Sequence, residues 1–267
     1  MTGPSKRLKV AIQAARAAGK ILHEKFDGTR TIHSKGARDI VTDADFAADH
    51  CVRALVHKNF PGDQFLSEED SAETRKKLWT EAERPDAAYL WVVDPLDGTV
   101  NYAHRIPMFA VSIGLYHRGE VVLGVVYDPI RDELFAAEQG HGATLNGKKI
   151  LAGTRPIEDA VISVDFARKR AVRTRTTRVL ARLSDRALTA RSTGSAALSL
   201  CYVACGRFDV YFHFSLSPWD VAAAAHIIEQ AGGSVTTPWG KPWSVHSKAY
   251  LATNGHLKSR VSRYFRA

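Results

Sequence analysis

Apolar positions recur at steps of three and four from Leu8 through Ile12, Ala15, Gly19 and Leu22 to Phe26, which predicts an amphipathic helix. The polar stretch Lys35 to Asp45 is expected to be a loop, and Thr42 with Asp45 has the form of a capping box for a second helix reaching about Lys58. Pro61-Gly62 breaks that helix. Gln64-Phe65-Leu66 then predicts a short strand running into Ser67-Glu68-Glu69-Asp70, and a polar, charged segment follows from Ser71 to Asp86. Tyr89 to Val93 reads as a strand. Phe109 to Tyr116, Val121 to Tyr127 and Glu133 to Ala137 are β-rich runs separated by Arg118-Gly119 and Asp128-Pro129, as in an antiparallel meander. Gly140, Gly142 and Asn146-Gly147 mark further turns.

Beyond Gly153 helices and strands alternate. Strands are expected at Val161 to Val164, Leu188 to Arg191, Phe208 to Phe214 and Tyr250 to Thr253. Helices are expected from about Lys169 to Leu183, from Gly194-Ser195 to about Cys205, from Trp219 to Gln230 before Gly232-Gly233, and from His256 to Phe265. The pattern is that of a layered α/β protein. Gly153-Thr154-Arg155-Pro156 is the best boundary, dividing one compact unit into an N-terminal half, 1–153, and a C-terminal half, 154–267.

With 267 residues, 45% of them hydrophobic and 24% charged, the chain can form a substantial core without a disulfide or structural metal. Cys51, Cys201 and Cys205 form neither an even framework nor a CxxC pair, which suits a reducing compartment. The N-terminus lacks the apolar run of a signal peptide, and no later run is long enough to span a bilayer, so a cytoplasmic protein without membrane attachment is expected. The formal net charge of +9 favours anionic partners without choosing among phosphorylated small molecules, nucleic acid and acidic proteins.

The densest chemistry lies in Trp91 to Asn101, where an apolar strand runs into Asp94-Pro95-Leu96-Asp97-Gly98-Thr99. Pro95 pushes Asp94 towards an extended backbone, and Gly98 permits a tight path. Around such a turn both carboxylates can face one side, where they would gather a hard divalent cation, and a helix starting at Thr99 would offer amides to phosphate. An ordinary Asp-Pro/Asp-Gly turn is the plain alternative. Glu68-Glu69 ends one strand, and Asp220 begins a helix, where it can serve as a cap or complement the helix dipole. Strand ends and helix starts commonly meet at one crevice in a layered α/β fold.

In this order, Glu68-Glu69, Asp94 to Thr99 with Asn101, and Trp219-Asp220-Val221-Ala222-Ala223 resemble the motifs of the inositol monophosphatase family, the magnesium-dependent, lithium-sensitive phosphatases. Lys35 with Asp39 through Asp45, and Arg191 through Ala197, fit the same pattern, so the likeness covers nearly the whole chain. The resemblance implies alternating α-β-α-β-α layers, hydrolysis of a phosphate monoester with inositol phosphate as the default substrate, and a homodimer. It implies that Glu68, Asp94 and the carbonyl of Leu96 hold one Mg2+, that Asp94, Asp97 and Asp220 hold a second, and that Glu68 helps with a third. Thr99, oriented by Asp45, and Glu68 would position and deprotonate the attacking water. The Gly98 and Thr99 amides would take phosphate oxygens, Gly194-Ser195-Ala196 would contact the alcohol, and Lys35 joins the substrate-binding set. No cysteine lies in a nucleophile motif and no Walker-type loop is present, which suits direct attack by water.

Two features depart from the family pattern. His213 stands where members acting on inositol phosphates typically carry a glutamate, so a fixed negative charge is replaced by a titratable donor, either touching the ligand or packed in the pocket wall. Asp165 is a further candidate pocket residue. Arg168, Lys169, Arg170, Arg173, Arg175, Arg178 and Arg182 follow with no acid among them and no interleaved aromatics. They form a solvated helix face, a subsite for a second anionic group, or the docking surface of a regulatory protein of this fold that binds RNA polymerase or RNA.

Overall fold

In a computed structural model describing residues 3–28, 31–36 and 39–265, the first apolar stripe becomes α1 (Lys6–Phe26). The Ser5 hydroxyl caps it by accepting the Leu8 amide at 3.1 Å. The expected polar loop is instead a hairpin of β1 (Ile32–Gly36) and β2 (Asp39–Thr42), which leads into α2 (Asp43–Asn59). Polar composition hid it because the described β1 residues are exposed and only Val41 and Thr42 of β2 are buried, too few to show an apolar alternation. After β3 (Gln64–Ser67), the polar segment holds α3 (Ala72–Ala82), in which only Ala82 is buried. A helix with so little buried surface has no apolar stripe to reveal it.

The chain then runs through β4 (Leu90–Asp97), α4 (Thr99–Ala103), β5 (Ala110–His117), β6 (Glu120–Asp128), β7 (Glu133–Glu138), β8 (Ala143–Leu145) and β9 (Lys148–Ile150). Strands β3 to β9 form a seven-stranded sheet in sequence order, with only β3 and β4 parallel. There follow β10 (Val161–Val164), α5 (Arg170–Ser184), β11 (Thr189–Arg191), α6 (Ala196–Ala204), β12 (Val210–His213), α7 (Pro218–Gln230), β13 (Ser234–Thr236), β14 (Tyr250–Thr253) and α8 (Lys258–Val261). The five-stranded sheet has the order β11-β10-β12-β14-β13, with β10 parallel to both neighbours and β14 antiparallel to both of its own. The closing helix expected over His256 to Phe265 is broken, with α8 giving way to a 3-10 turn at Ser262–Phe265.

Helices α1 and α2 cover one face of the seven-stranded sheet, burying Trp91, Val93, Ile113 and Val125. Helices α6 and α7 fill the space between the sheets, while α5 and the C-terminal turns cover the outer face of the second sheet through Ile162, Val210 and Phe212. The result is the expected five alternating layers. Strand β4 has both faces covered, which is why its apolar residues run continuously. Among the described residues no helix is long and apolar enough to cross a membrane.

One close approach sets the position of α7. Gly114 and Gly124 are cross-strand partners on the α7 face. A Cβ built on Gly124 would lie 2.3 Å from the Ala223 carbonyl oxygen, and one on Gly114 would lie 3.0 Å from the Ala222 Cβ. The paired glycines form a slot into which the alanine-rich helix descends. Gly124→Ala should therefore destabilise the protein by at least the about 1–3 kcal/mol typical of overpacking. Chemical denaturation tests this, and a wild-type midpoint would show that the slot is not a constraint.

Candidate functional site

The last residues of β4 do not form a simple turn. The pairing with β5 runs Asp94↔Ser112 and then shifts to Asp97↔Ala110. Pro95 has no N–H for the ladder, and the Leu96 amide turns inward to donate to Asp94 Oδ1 at 3.0 Å. In a regular strand, residues three apart face opposite sides of the sheet; this irregularity lets Asp94 and Asp97 serve one site. Asp94 shares the α7 face with Leu90 and Val92, and its partner Ser112 donates its hydroxyl to the Trp219 carbonyl at 3.2 Å. Gly98 then takes φ 98°, where a side chain is disfavoured, and its Cβ would meet the Met108 carbonyl oxygen at 2.9 Å.

Three helices start against this strand end. Asp220 is the third residue of α7, and its Oδ2 accepts the Ser217 amide at 2.8 Å in a capping box. Asp97 Oδ2 accepts the Ala197 amide at 2.8 Å and the Ser195 hydroxyl at the start of α6. Asp45 closes the capping box of α2, its Oδ2 accepting the Thr42 amide at 2.8 Å and the Thr42 hydroxyl at 2.6 Å. The other oxygen, Oδ1, lies 3.3 Å from the Thr99 hydroxyl, which is also 3.0 Å from the Leu96 carbonyl. Capping and a place in the site are therefore compatible roles for Asp45 and Asp220.

Glu68 comes in from the neighbouring parallel strand, its amide donating to the Val93 carbonyl at 3.2 Å. Ligand oxygens of Glu68, Asp94 and Asp220 all lie within 4.8 Å of one another. Burial, reinforced by the charges of Glu68, Asp97 and Asp220, pushes the Asp94 carboxyl well above the usual range. Asp220 rises for the same reason, with Glu68 and Asp97 adding to burial. Burial lifts Asp97 to about 6 even though Ser195 and the first amides of α6 favour its charged form. Oxygen donors that repel one another in this way, with no histidine or cysteine in the group, fit a hard divalent cation.

Asp165 and the Gly194 to Ala196 segment adjoin the start of α6, which holds Asp97. Asp165 Oδ1 accepts the Gly194 amide at 2.8 Å and the Ser192 hydroxyl at 2.9 Å, and its Oδ2 accepts the Tyr211 hydroxyl at 3.3 Å. Asp165 therefore shapes the segment that carries Gly194, Ser195 and Ala196. Gly194 has φ 76°, and its Cβ would fall 2.7 Å from the Asn101 amide nitrogen. That nitrogen bridges the Met108 and Thr193 carbonyls at 2.7 and 2.8 Å, tying α4 to the α6 loop. His213, at the end of β12, is buried, and its Nδ1 accepts the Ser215 amide at 3.1 Å. Burial pushes its pKa down to about 4, so the titration expected near neutrality is displaced and the ring is neutral there. The side chain of Lys35 lies outside the described residues.

Sequence reasoning missed the Ser195–Asp97 contact and the Asn101 bridge, because they join residues 98 and 92 positions apart. It also missed Arg75, whose Nη1 donates to the Glu68 and Asp70 carbonyls at 2.7 Å each. No sequence signal marked Arg75, since its helix was itself unrecognised.

The model of the inositol monophosphatase family matches residues 4–267. Inositol monophosphatase 2 of Solanum lycopersicum is 39% identical over 253 residues, covering 93% of this chain and 94% of that protein. Nus factor SuhB of Escherichia coli K12 is 37% identical over 233 residues, covering 86% of this chain and 84% of its own. The crystal structure of extragenic suppressor protein suhB from Bartonella henselae matches with a TM-score of 0.90 at 34% identity, covering 98% of this chain and 99% of the other.

The electrostatics give a test. Without a cation, the folded protein keeps protons on Asp94, Asp97 and Asp220 at pH values where the unfolded chain has released them. Each carboxylate therefore costs stability as pH rises through its folded titration, about 6 for Asp97. A divalent cation competes with those protons, so its stabilising effect should be largest well above that range and shrink as pH falls through it. Thermal unfolding with Mg2+ and with a chelator, compared between about pH 8 and about pH 5, reads this difference. His213 and His226, both pushed down to about 4 by burial, largely cancel between the paired measurements. A pH-independent gain in Tm, or none, would contradict the carboxylate reading.

Proposed function

Because the chain belongs to the inositol monophosphatase family, whose members are phosphatases, we propose that it hydrolyses a small phosphate monoester to an alcohol and inorganic phosphate with Mg2+ as cofactor. The observation that carries this reading is the convergence of Glu68, Asp94 and Asp220 beside Asp97. These four carboxylates, with the Leu96 carbonyl, would hold two or three ions. Bound there, the ions would offset the charge of the phosphate dianion and make water and the leaving alcohol more acidic.

The chain's own groups supply positioning. The Thr99 hydroxyl has one proton and two acceptors within reach, Leu96 O and Asp45 Oδ1. Donation to Asp45, which Thr42 holds in place, would leave the Thr99 oxygen able to accept a hydrogen bond from the attacking water. Glu68 is the carboxylate assigned to take that water's proton. The Gly98 and Thr99 amides are assigned to phosphate oxygens, and the Gly194 to Ala196 segment to the alcohol. Assigned to the alcohol side of the site, a neutral, buried His213 would offer no negative charge to a polyol ring, which favours an alcohol other than inositol. Another sugar or polyol phosphate, histidinol phosphate and a phosphorylated nucleotide are the substrate classes considered. A homodimer acting in the cytoplasm is part of the same reading.

Phosphate release from a broad monoester panel should require Mg2+ and fall in Asp97→Asn by more than the about 10–100-fold typical of changes outside the ligand shell. On the same panel His213→Glu should raise turnover of inositol phosphate relative to other substrates. If wild-type protein releases no phosphate from any panel member, the enzyme reading fails, and an unchanged inositol preference removes His213 as a determinant.

A second reading rests on α5. Arg170, Arg175, Arg178 and Arg182 line an open groove of about 670 Å³ with Tyr264 and Phe265. Arg175 also lies over Phe214 at 4.6 Å and Trp239 at 4.9 Å, so aromatic groups absent from the local sequence are supplied by distant segments. Such a surface suits an anionic partner, and a relative bears the name Nus factor, so binding to RNA polymerase or RNA is the alternative role. Reversing Arg170, Arg178 and Arg182 to glutamate should abolish that binding while phosphate release is retained. Binding that survives the reversal excludes this surface.

A further inference from the structure

We propose that Arg75 is a positioning residue that fixes the spacing between the Glu68 turn and the start of α7, and so sets how tightly the carboxylate centre holds a divalent cation. The proposal rests on the cation reading of that centre. It is carried by three contacts made by one guanidinium. Nη1 has two N–H bonds and donates to the Glu68 and Asp70 carbonyls, each at 2.7 Å. The same group lies 4.9 Å from the centroid of the Trp219 ring, the residue immediately before Asp220. Arg75 therefore touches the backbone of one expected ligand and the neighbour of another, while its charged head touches neither ligand oxygen in any of these contacts.

Both ends of this bridge are anchored elsewhere. On the Glu68 side, Asp70 Oδ2 accepts the Ser67 amide at 2.8 Å, and Asp70 Oδ1 accepts from Arg53 at 3.0 Å. The Glu68 amide is held by Val93. On the other side, the Trp219 carbonyl accepts from Ser112, the ladder partner of Asp94. A triangle is thus closed among the Glu68 turn, the end of β4 and the start of α7, with Arg75 supplying the edge that the sheet does not. This also gives α3 a role. It buries only Ala82 from its own length, yet its first turn carries the residue that closes the triangle.

Lysine cannot replace this arrangement. An ammonium lacks the planar face that lies against the indole and presents a compact point charge in place of the fixed fork. A loosened edge lets the mutually repelling carboxylates spread when no cation is present, so part of the binding energy must then draw them back together.

The test compares wild type, Arg75→Gln, Arg75→Lys and the exposed neighbour variant Lys76→Gln. Mn2+ affinity is measured by calorimetry, and amide hydrogen exchange over residues 68–71 is measured in chelator. Arg75→Gln and Arg75→Lys should each weaken Mn2+ binding by about 10–100-fold, the usual scale for groups that orient ligands. They should also speed exchange in the turn without a cation, while Lys76→Gln changes neither. Added guanidinium ion should restore part of the affinity of Arg75→Gln. Wild-type affinity and protection in Arg75→Lys would overturn the proposal, even if Arg75→Gln failed to fold. Equal losses in Lys76→Gln would overturn it as well. If wild-type protein bound no Mn2+, the cation reading beneath it would fail instead, whereas intact binding with unchanged Arg75 variants would defeat the positioning role alone.

Discussion

The structure depends on bringing together carboxylates that repel one another. Asp94 and Asp97 are buried, and Glu68 and Asp220 are half-buried beside them. Burial and like charge raise Asp94, Asp97 and Asp220 above the ordinary carboxylate range. Such a group persists only where the surrounding fold over-determines it, and backbone amides provide much of that determination. Asp94 takes the Leu96 amide, Asp97 an α6 amide and hydroxyl, Asp220 the Ser217 amide, and Asp45 the Thr42 amide. Helix starts suit this purpose because their first amides lack partners within the helix and carry the positive end of its dipole.

The layers make that arrangement geometrically available. Three helix starts can meet one strand end only if α7 lies close to the seven-stranded sheet, and the Gly114–Gly124 slot permits the approach. The irregular end of β4 then presents both aspartates to one site. Function in this chain thus depends on backbone placement at least as much as on the identity of the acids. A carboxylate displaced by a fraction of an ångström keeps its chemistry and loses its partners.

The parts that were legible in the sequence share a local cause. The stripe of α1, the Thr42–Asp45 capping box and the antiparallel meander each follow from residues close together in the chain. The hairpin β1–β2 and helix α3 were not legible because little of either is buried, so no apolar period marks them. The basic helix α5 was visible as charge, but its aromatic neighbours Phe214, Trp239 and Tyr264 come from remote segments and could not be read from it. His213 was visible as a substitution, whereas its neutrality was not, because burial alone moves its titration to about 4.

By itself the sequence determined the types of the elements that bury an apolar face, the layered class, the family and the ordered acids at residues 68, 94, 97 and 220, since each is written in short-range pattern and residue identity. Only the tertiary structure decided that Glu68, Asp94 and Asp220 share one space, that Asp97 is held by Ser195, and that Arg75 joins two sides of the centre. The physical reason is that burial, charge coupling and hydrogen-bond partners are properties of contacts between distant residues. Spacing along a chain supplies the groups, and packing decides which of them meet.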